Sequence, residues 1–187
     1  MHPPIDPLTR IRPPVRCGDR VSLRVEGTTP PGATEIMGFV LCLTASHVTL
    51  IDRQGEEHQL PRAALSAARR IPVARGRNPL AAPAALLDDL AARADAVGQA
   101  WVIRITELLA QQPPPAQVPA WGATAAIRGT RVRIEGEWAT LQDGDPDTWT
   151  AAGWWATRGN ARSLQVRAST PAINQDLQAR GFSLHLG

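Results

Sequence analysis

The sequence predicts an α+β protein in two parts, a small five-stranded β-barrel followed by an α/β lobe. Period-two alternation of apolar and polar residues marks short strands between Asp19 and Ala74. Beyond Gly76, stretches with apolar residues three and four positions apart alternate with strand-like stretches. The apolar fraction of 43% is enough for a packed core, so the composition excludes global disorder.

The first part begins with residues 1–18, which are proline-rich and are predicted to form a disordered tail. The barrel is predicted over residues 19–76, with one helical turn at residues 61–65. Its predicted strands are residues 21–25, 36–42, 47–52, 57–60 and 69–74. Alternation along the second strand predicts that Cys42 is a buried core residue. An open sheet of this size would leave long edges, and closure into an SH3-like barrel removes them.

A linker and a helix are predicted over residues 77–97. The helix runs from Ala84 to Val97, and Gly98 interrupts it. A second helix is predicted from the spacing of Trp101, Ile105 and Leu108. Three consecutive prolines from Pro113 end it, because proline cannot continue the helical hydrogen-bond ladder.

Residues 98–187 are predicted to form the α/β lobe, in the order α-β-β-α-β-α-β. Asp145 and Thr170 each precede a proline, which is typical of a helix N-cap followed by the first helical residue. The other predicted elements are a hairpin of residues 122–128 and 131–142 turning at Gly129, and strands over residues 162–168 and 182–186.

Composition excludes several chemistries. All 20 basic residues are arginine and there is no tyrosine, so a Schiff-base lysine, a P-loop lysine and a tyrosine general acid are impossible. Cys17 and Cys42 have no metal-binding spacing and are predicted to be reduced thiols. The N-terminal residues lack a signal-peptide pattern, and no apolar run approaches the ~18 residues that span a bilayer, so a cytoplasmic location is expected.

Charge is uneven along the chain. Residues 1–76 carry a net charge of +3, whereas residues 77–187 are neutral overall. The stretch Pro61–Arg77 contains five arginines and no acid, namely Arg62, Arg69, Arg70, Arg75 and Arg77. This local charge could attract nucleic acid or an acidic protein surface. The alternative is a solvated strand and linker without a charged partner.

Three stretches carry a resemblance to a known family. They are TEIMGFVLCLTASHVTLIDRQGEEHQLPRAALSAARRIP, WGATAAIRG and WTAAGWWATRGNARSLQVRASTPAINQDLQARGF. In this order they resemble actinobacterial GNAT-type N-acetyltransferases, which carry an N-terminal SH3-like domain, a first GNAT-like lobe and then a catalytic lobe. The resemblance covers residues 19–187. It implies an SH3-like barrel and an incomplete GNAT-like lobe with the catalytic lobe absent, either in a naturally shortened homologue or in the front part of the family architecture.

The family's acetyl-CoA phosphate loop has the pattern Q/R-x-x-G-x-G/A between a strand and a helix, whose first amides bind the diphosphate. Residues 24–29 and 133–138 lack the second small residue, and residues 178–183 connect a helix to a strand instead. No catalytic residue is therefore predicted, and acetyl-CoA would bind only if a second lobe completed the site. Two functions remain open: a GNAT-related protein without independent catalysis, or a non-catalytic SH3-like module that binds a protein or nucleic acid.

Two clusters of ionisable residues are candidates for chemistry. Glu135 and Glu137 are two apart in a predicted strand and could form an acid/base pair, although a solvated face is the alternative. His47 and His58 both lie near the predicted hairpin, but pairing Asp52 with Glu56 places His58 opposite Leu50. Because no third ligand is evident, no metal site is predicted.

Two surfaces are predicted to contact partners. Trp149, Trp154 and Trp155 cannot all face one core from a single helix, so Trp154 or Trp155 is predicted to be partly exposed as an interface anchor. The alternative is that this tryptophan packs beneath the linker helices. The predicted partner-binding residues are Arg62, Arg69, Arg70, Arg75, Trp154 and Trp155. The strand Phe182–Leu186 has an uncovered edge, which predicts a homodimer or a separate catalytic lobe on that side.

Overall fold

The computed structural model describes residues 6–27, 32–110, 112–115 and 117–186. The chain is α+β and divides into two compact units. The first comprises Met1–Val73 and Gln111–Ala120, and the second comprises Ala74–Ala110 and Trp121–Gly187. The segment Gln111–Ala120 thus belongs to the first unit, although the sequence pattern assigned it to the lobe.

An antiparallel sheet forms the first unit. Its strands are β1 (Arg20–Val25), β2 (Thr34–Leu43), β3 (His47–Asp52), β4 (Glu57–Pro61) and β5 (Leu65–Arg70), in the spatial order β4-β3-β2-β1-β5. Within the described residues β4 and β5 are both outer strands, so the sheet is open and the predicted closed barrel is not observed. The predicted last strand at residues 69–74 is wrong, because the strand begins at Leu65, whose side chain is buried in the core.

The core of the first unit includes a residue from the predicted tail. The buried set is Leu8, Val21, Leu23, Val40, Val48, Leu50, Leu60 and Leu65. Leu8 lies in a 3-10 helix at Pro7–Arg10, which begins where the Asp6 carboxylate accepts a hydrogen bond from the Leu8 amide at 2.9 Å. Ile11 and Val15 pack against the same core. The prediction of disorder is therefore wrong for residues 6–18, and residues 1–5 lie outside the described residues.

Cys42 is exposed, contrary to the prediction. The pairing of β2 with β3 shifts register between Val40 and Cys42, which is the mark of a β-bulge. Because one extra residue reverses the alternation of side chains, the strand turns Cys42 outward after Val40, which is fully buried.

Within the described residues, the second unit contains a six-stranded mixed sheet, four α-helices and a 3-10 helix at Pro79–Ala81. The strands are β6 (Gln99–Arg104), β7 (Thr124–Ile127), β8 (Thr130–Glu135), β9 (Trp138–Gln142), β10 (Ser163–Ala168) and β11 (Ser183–Leu184), in the spatial order β11-β6-β10-β9-β8-β7. The helices are α1 (Ala84–Arg93), α2 (Ile105–Leu108), α3 (Pro146–Arg158) and α4 (Pro171–Ala179). None of the helices in the described part of the chain has both the length and the hydropathy that a membrane span requires.

The helices and strands after Asp145 match the sequence-based predictions more closely than the elements before Asp145 do. Helices α3 and α4 begin at the predicted prolines, and β10 lies where a strand was predicted. The predicted strand over residues 131–142 is instead two strands joined at Gly136, which has a φ of +57°. Helix α1 ends at Arg93, so it is shorter than predicted.

The predicted helix containing Trp101 is wrong, because residues 99–104 form strand β6. This strand pairs with β10 on one side and with β11 on the other. Three consecutive side chains are buried, those of Trp101, Val102 and Ile103. A strand that is covered on both faces has no period-two alternation, so its apolar residues can also match a helical spacing.

Gly98, immediately before β6, has a backbone conformation that requires glycine. Its φ is +112°, and a Cβ at this position would lie 2.1 Å from the carbonyl oxygen of Ala168. The Gly98 carbonyl also accepts a hydrogen bond from Arg167 Nη1 at 3.2 Å. The chain therefore passes close to the end of β10 here, and a side chain would push the two segments apart.

We expect Gly98→Ala to destabilise the protein more than Gly129→Ala by about 2 kcal/mol, because it adds steric overlap to backbone strain. Gly129 is the matched control, since it also has a positive φ, of +84°, but a Cβ added there would meet nothing within 4 Å. Urea denaturation of both variants measures the difference. Equal losses of stability would show that the approach of Gly98 to Ala168 is not restrictive.

Candidate functional site

The junction between β9 and α3 is a strand-to-helix connection, and the first amides of a helix at such a connection can bind an anion. Asp145 is the N-cap of α3 and its carboxylate accepts a hydrogen bond from the Thr148 amide at 2.7 Å. Pro146 at the first helical position has no amide hydrogen, and Asp147 adds a second negative charge to the first turn. The chain's own carboxylates therefore occupy this position, which would otherwise attract an anion, and repel anions from it.

The pKa of the Asp145 carboxyl group lies below its ordinary value. Hydrogen bonds from the hydroxyl and the amide of Thr148 lower its pKa, and the positive charge of Arg128 contributes further. Arg128 Nε lies 3.9 Å from Asp145 Oδ1, and its Nη2 lies 3.8 Å from Asp147 Oδ2. The negative charge at the start of α3 is thus stabilised by the protein itself at neutral pH.

The carboxyl ends of the parallel strands β9 and β10 are joined by side-chain hydrogen bonds. Asp143 accepts from the amide and the hydroxyl of Ser169, both at 2.7 Å. Gln142 Nε2 donates to the Arg167 carbonyl at 2.9 Å. The two strands pair in unbroken register from Trp138–Ser163 to Gln142–Arg167, so they do not splay to form a cleft.

A cleft of about 490 Å³ lies elsewhere in the second unit. The segment of residues 77–83, one side of α1 and the turn between β8 and β9 form its walls. Its lining residues are Arg77, Asn78, Pro79, Ala81, Ala82, Pro83, Leu86, Asp89, Leu90, Arg93, Glu135, Gly136, Glu137, Trp138 and Ser163. The walls combine aliphatic and proline surface with a half-buried tryptophan and several charges.

Glu135 and Glu137 both line this cleft, but they do not form the proposed acid/base pair on a strand face. Glu135 is the last residue of β8 and Glu137 lies in the turn that follows. Each carboxylate has its own arginine partner: Glu135 pairs with Arg93, and Glu137 lies 3.2 Å from Arg162. Because Arg93 also pairs with Asp89 at 2.7 Å, the acidic wall is partly neutralised.

The predicted basic surface is also neutralised, by acids distant in sequence. In the first unit, Arg62 Nε donates to Asp6 at 2.6 Å and Arg70 Nη2 to Asp19 at 2.8 Å. Arg69 lies 3.3 Å from Glu35 on the surface. In the second unit, Arg75 lies 3.7 Å from Glu107. Four of the five arginines of Pro61–Arg77 therefore each have an acidic neighbour.

All three tryptophans of α3 are buried, so the prediction that Trp154 or Trp155 is exposed is wrong. Trp149 and Trp155 are fully buried and Trp154 is 4% exposed. Trp149 Nε1 donates to the Asp143 carbonyl at 2.8 Å, and its ring packs edge-to-face on Phe182 at 5.5 Å between centroids. The prediction assumed that α3 has a single buried stripe. It failed because α3 is covered on several sides.

The predicted edge at Phe182–Leu186 is reduced to a two-residue strand. Ser183 and Leu184 pair with β6, the His185 amide donates to the Ala100 carbonyl of the same strand at 2.9 Å, and Phe182 is buried. Leu186 is 82% exposed. The surface available for recruiting another strand is shorter than the sequence pattern indicated.

The hairpin between β3 and β4 brings together residues that were not grouped from the sequence. His58 lies opposite Leu50, as predicted, and His47 lies opposite Pro61. His58 Nε2 is 2.8 Å from Asp52 Oδ2, and Glu56 completes a cluster with them. Asp52, Glu56 and His58 all fall within seven residues, and the four-residue separation of Asp52 and Glu56 across a tight turn could have indicated this proximity.

Burial raises the pKa of the Asp52 carboxyl, but hydrogen bonds outweigh this effect. They come from His58 and from the backbone amides of Glu56 and Gln54, and they hold the pKa below its ordinary value. The carboxylate is therefore ionised at neutral pH.

Comparison with protein-family models, with curated proteins and with solved structures finds no match for the chain. The relation to GNAT proteins thus remains a proposal that depends on the sequence motifs and the strand order.

We expect Asp145→Ala to lower the free energy of unfolding by about 1 kcal/mol at pH 7, because α3 loses its N-cap. Asp145→Asn retains a capping oxygen and should cost less. A carboxylate whose pKa is lowered by folding stabilises the fold when the pH is above the pKa that it has in the unfolded chain, about 4. This contribution is lost as the pH falls through the pKa of the folded state.

The difference between the parent and Asp145→Asn should therefore shrink between pH 7 and pH 3. Urea denaturation at both pH values measures this difference. A difference that is the same at both would show that the charge of Asp145 does not stabilise α3.

Proposed function

We propose that this chain is a non-catalytic protein-binding protein, composed of an SH3-like module and a GNAT-related lobe that does not bind acetyl-CoA. The observation that carries the proposal is the start of α3, where Asp145 caps the helix, Pro146 lacks an amide hydrogen and Asp147 adds negative charge. A diphosphate would have to displace a carboxylate and overcome the repulsion of another.

The order of elements supports the two parts of this proposal. In the first unit, five antiparallel strands in the order β4-β3-β2-β1-β5, with a 3-10 turn at Arg62–Ala64 before the last, favour an SH3-like module. In the second unit, the parallel pair β9 and β10 joined through α3 favours a GNAT-related lobe. The second unit differs from the GNAT pattern in one respect, because β9 and β10 stay paired and leave no splayed opening between them.

The cleft beside α1 is the site that best suits a partner. A cleft of about 490 Å³ is in the range that proteins use for small molecules or a few side chains of a peptide. Its aliphatic surface includes Leu86, which is 40% exposed, and its polar wall includes Asp89, Glu135 and Glu137. Aliphatic and proline surface lies beside carboxylates that are paired with arginines, and a peptide with apolar and polar side chains suits this lining better than a nucleic-acid backbone, which needs uncompensated positive charge.

We expect titration of the purified chain with acetyl-CoA to give no heat at ligand concentrations of several hundred micromolar. The physical reason is the carboxylate-capped start of α3 together with the continuous pairing of β9 and β10. Isothermal titration calorimetry measures this directly, with a GNAT enzyme of known activity as the positive control. Saturable binding of acetyl-CoA would refute the non-catalytic part of the proposal.

We expect peptides selected from a random library on the immobilised chain to bind through the cleft. Leu86→Glu should weaken their binding at least tenfold by placing a charge on the aliphatic wall. Val97→Glu is the matched control, because Val97 is a 71% exposed apolar residue of the same unit that does not line the cleft.

Fluorescence anisotropy with labelled peptides measures both affinities. Failure to enrich any peptide, or equal weakening by both substitutions, would contradict binding in this cleft.

A further inference from the structure

Three metal-ligating side chains converge at the β3–β4 hairpin of the first unit. The ligand atoms of Asp52, Glu56 and His58 all lie within 4.8 Å of one another. A tetrahedral site with metal–ligand distances of 2.0–2.2 Å has its donor atoms roughly 3.4 Å apart. The three groups therefore need only side-chain rotation to reach a common ion.

The backbone of the hairpin fixes the position of two of the three ligands. Strand pairing holds His58 opposite Leu50, on the strand that follows the turn. One oxygen of Asp52 accepts hydrogen bonds from the backbone amides of Gln54, at 2.8 Å, and Glu56, at 2.9 Å. Hydrogen bonds of this kind orient a ligating carboxylate and leave its second oxygen directed at His58.

The apo contact between Asp52 and His58 already has the form that a metal ion would replace. His58 Nε2 and Asp52 Oδ2 are 2.8 Å apart, so one proton lies between an imidazole nitrogen and a carboxylate oxygen. Both groups are only partly exposed, at 28% for His58 and 14% for Asp52. Glu56 is exposed at the rim, where its carboxylate can rotate onto an ion.

We propose that Asp52, Glu56 and His58 bind a divalent transition-metal ion of the zinc class, with one coordination position left to water. One imidazole and two carboxylates suit Zn²⁺, Co²⁺ or Ni²⁺. The imidazole disfavours Mg²⁺ and Ca²⁺, which prefer oxygen ligands. On binding, His58 coordinates the ion through Nε2 and carries its single ring proton on Nδ1, and two metal–ligand bonds replace the hydrogen bond between His58 and Asp52.

The site is independent of the proposed cleft, because its three ligands belong to the first unit. Its occupation would join the two strands of the hairpin at the end where the turn connects them. An ion that binds the folded hairpin but not the unfolded chain stabilises the fold by mass action.

The test uses the full chain with Cys17→Ser and Cys42→Ser, since both thiols are exposed and could bind zinc on their own. Titration with Zn²⁺ alone, followed by calorimetry, is expected to show one ion bound per chain and an increase in Tm. His58→Gln and Glu56→Gln should each weaken binding by more than the ~10-fold that loss of an outer-shell group typically costs. Co²⁺ should give the visible absorption of a site with nitrogen and oxygen ligands.

Two matched controls distinguish this site from adventitious binding. His47→Gln removes a histidine of the same hairpin that pairs with Pro61, and His185→Gln removes one in the other unit. Neither should change the affinity for Zn²⁺. Glu56 is an exposed turn residue, so Glu56→Gln provides a folded test even if His58→Gln is unstable. The proposal is overturned if Zn²⁺ does not bind at 100 µM, or if it binds equally to the parent and to Glu56→Gln.

Discussion

The second unit depends on strand β10, which is hydrogen-bonded along its length to β6 on one side and to β9 on the other. All six of its residues are buried, including the polar Gln165 and Arg167. Gln165 Nε2 donates to the Leu87 carbonyl at 3.1 Å, and Arg167 Nη2 lies 2.8 Å from Asp88. Buried polar groups are costly unless paired, so these two contacts fix α1 against the sheet.

The same strand determines what its neighbour β9 can do. Because Gln142 and Asp143 bond to Arg167 and Ser169, the carboxyl ends of the parallel pair cannot separate without losing three hydrogen bonds. In an open α/β sheet a ligand usually enters at such an edge. Here the edge is closed by the chain's own side chains, which is the physical basis for proposing a binding function in place of acetyl transfer.

Ion pairs between distant residues change the meaning of the charge pattern. Arg62 and Arg70 are half-buried partners of Asp6 and Asp19, and Arg93 bridges Asp89 and Glu135. Each ion pair neutralises the charge of its arginine, and an exposed pair contributes only modestly to the free energy of unfolding. Consecutive arginines in the sequence therefore do not predict a surface of unpaired positive charge. The carboxylates in the wall of the cleft are partly neutralised by arginines in the same way.

The sequence by itself determined the elements whose start and stop are local. Asp145 with Pro146, and Thr170 with Pro171, mark helix starts through contacts within one turn, so α3 and α4 were predicted correctly. Period-two alternation likewise located β1, β3 and β4, because each has one face in the core. These features need no knowledge of distant residues.

Only the tertiary structure decided the features that depend on distant neighbours. Strand β6 lost its alternation because β10, β11 and the packing on both faces bury it, and all three tryptophans of α3 are covered for the same kind of reason. The bulge that exposes Cys42, the closure of β9 against β10 and the neutralisation of Arg62 by Asp6 each join residues far apart in the chain. The local pattern of apolar and polar residues cannot predict such pairings, because they stabilise the chain only after folding has brought both partners together.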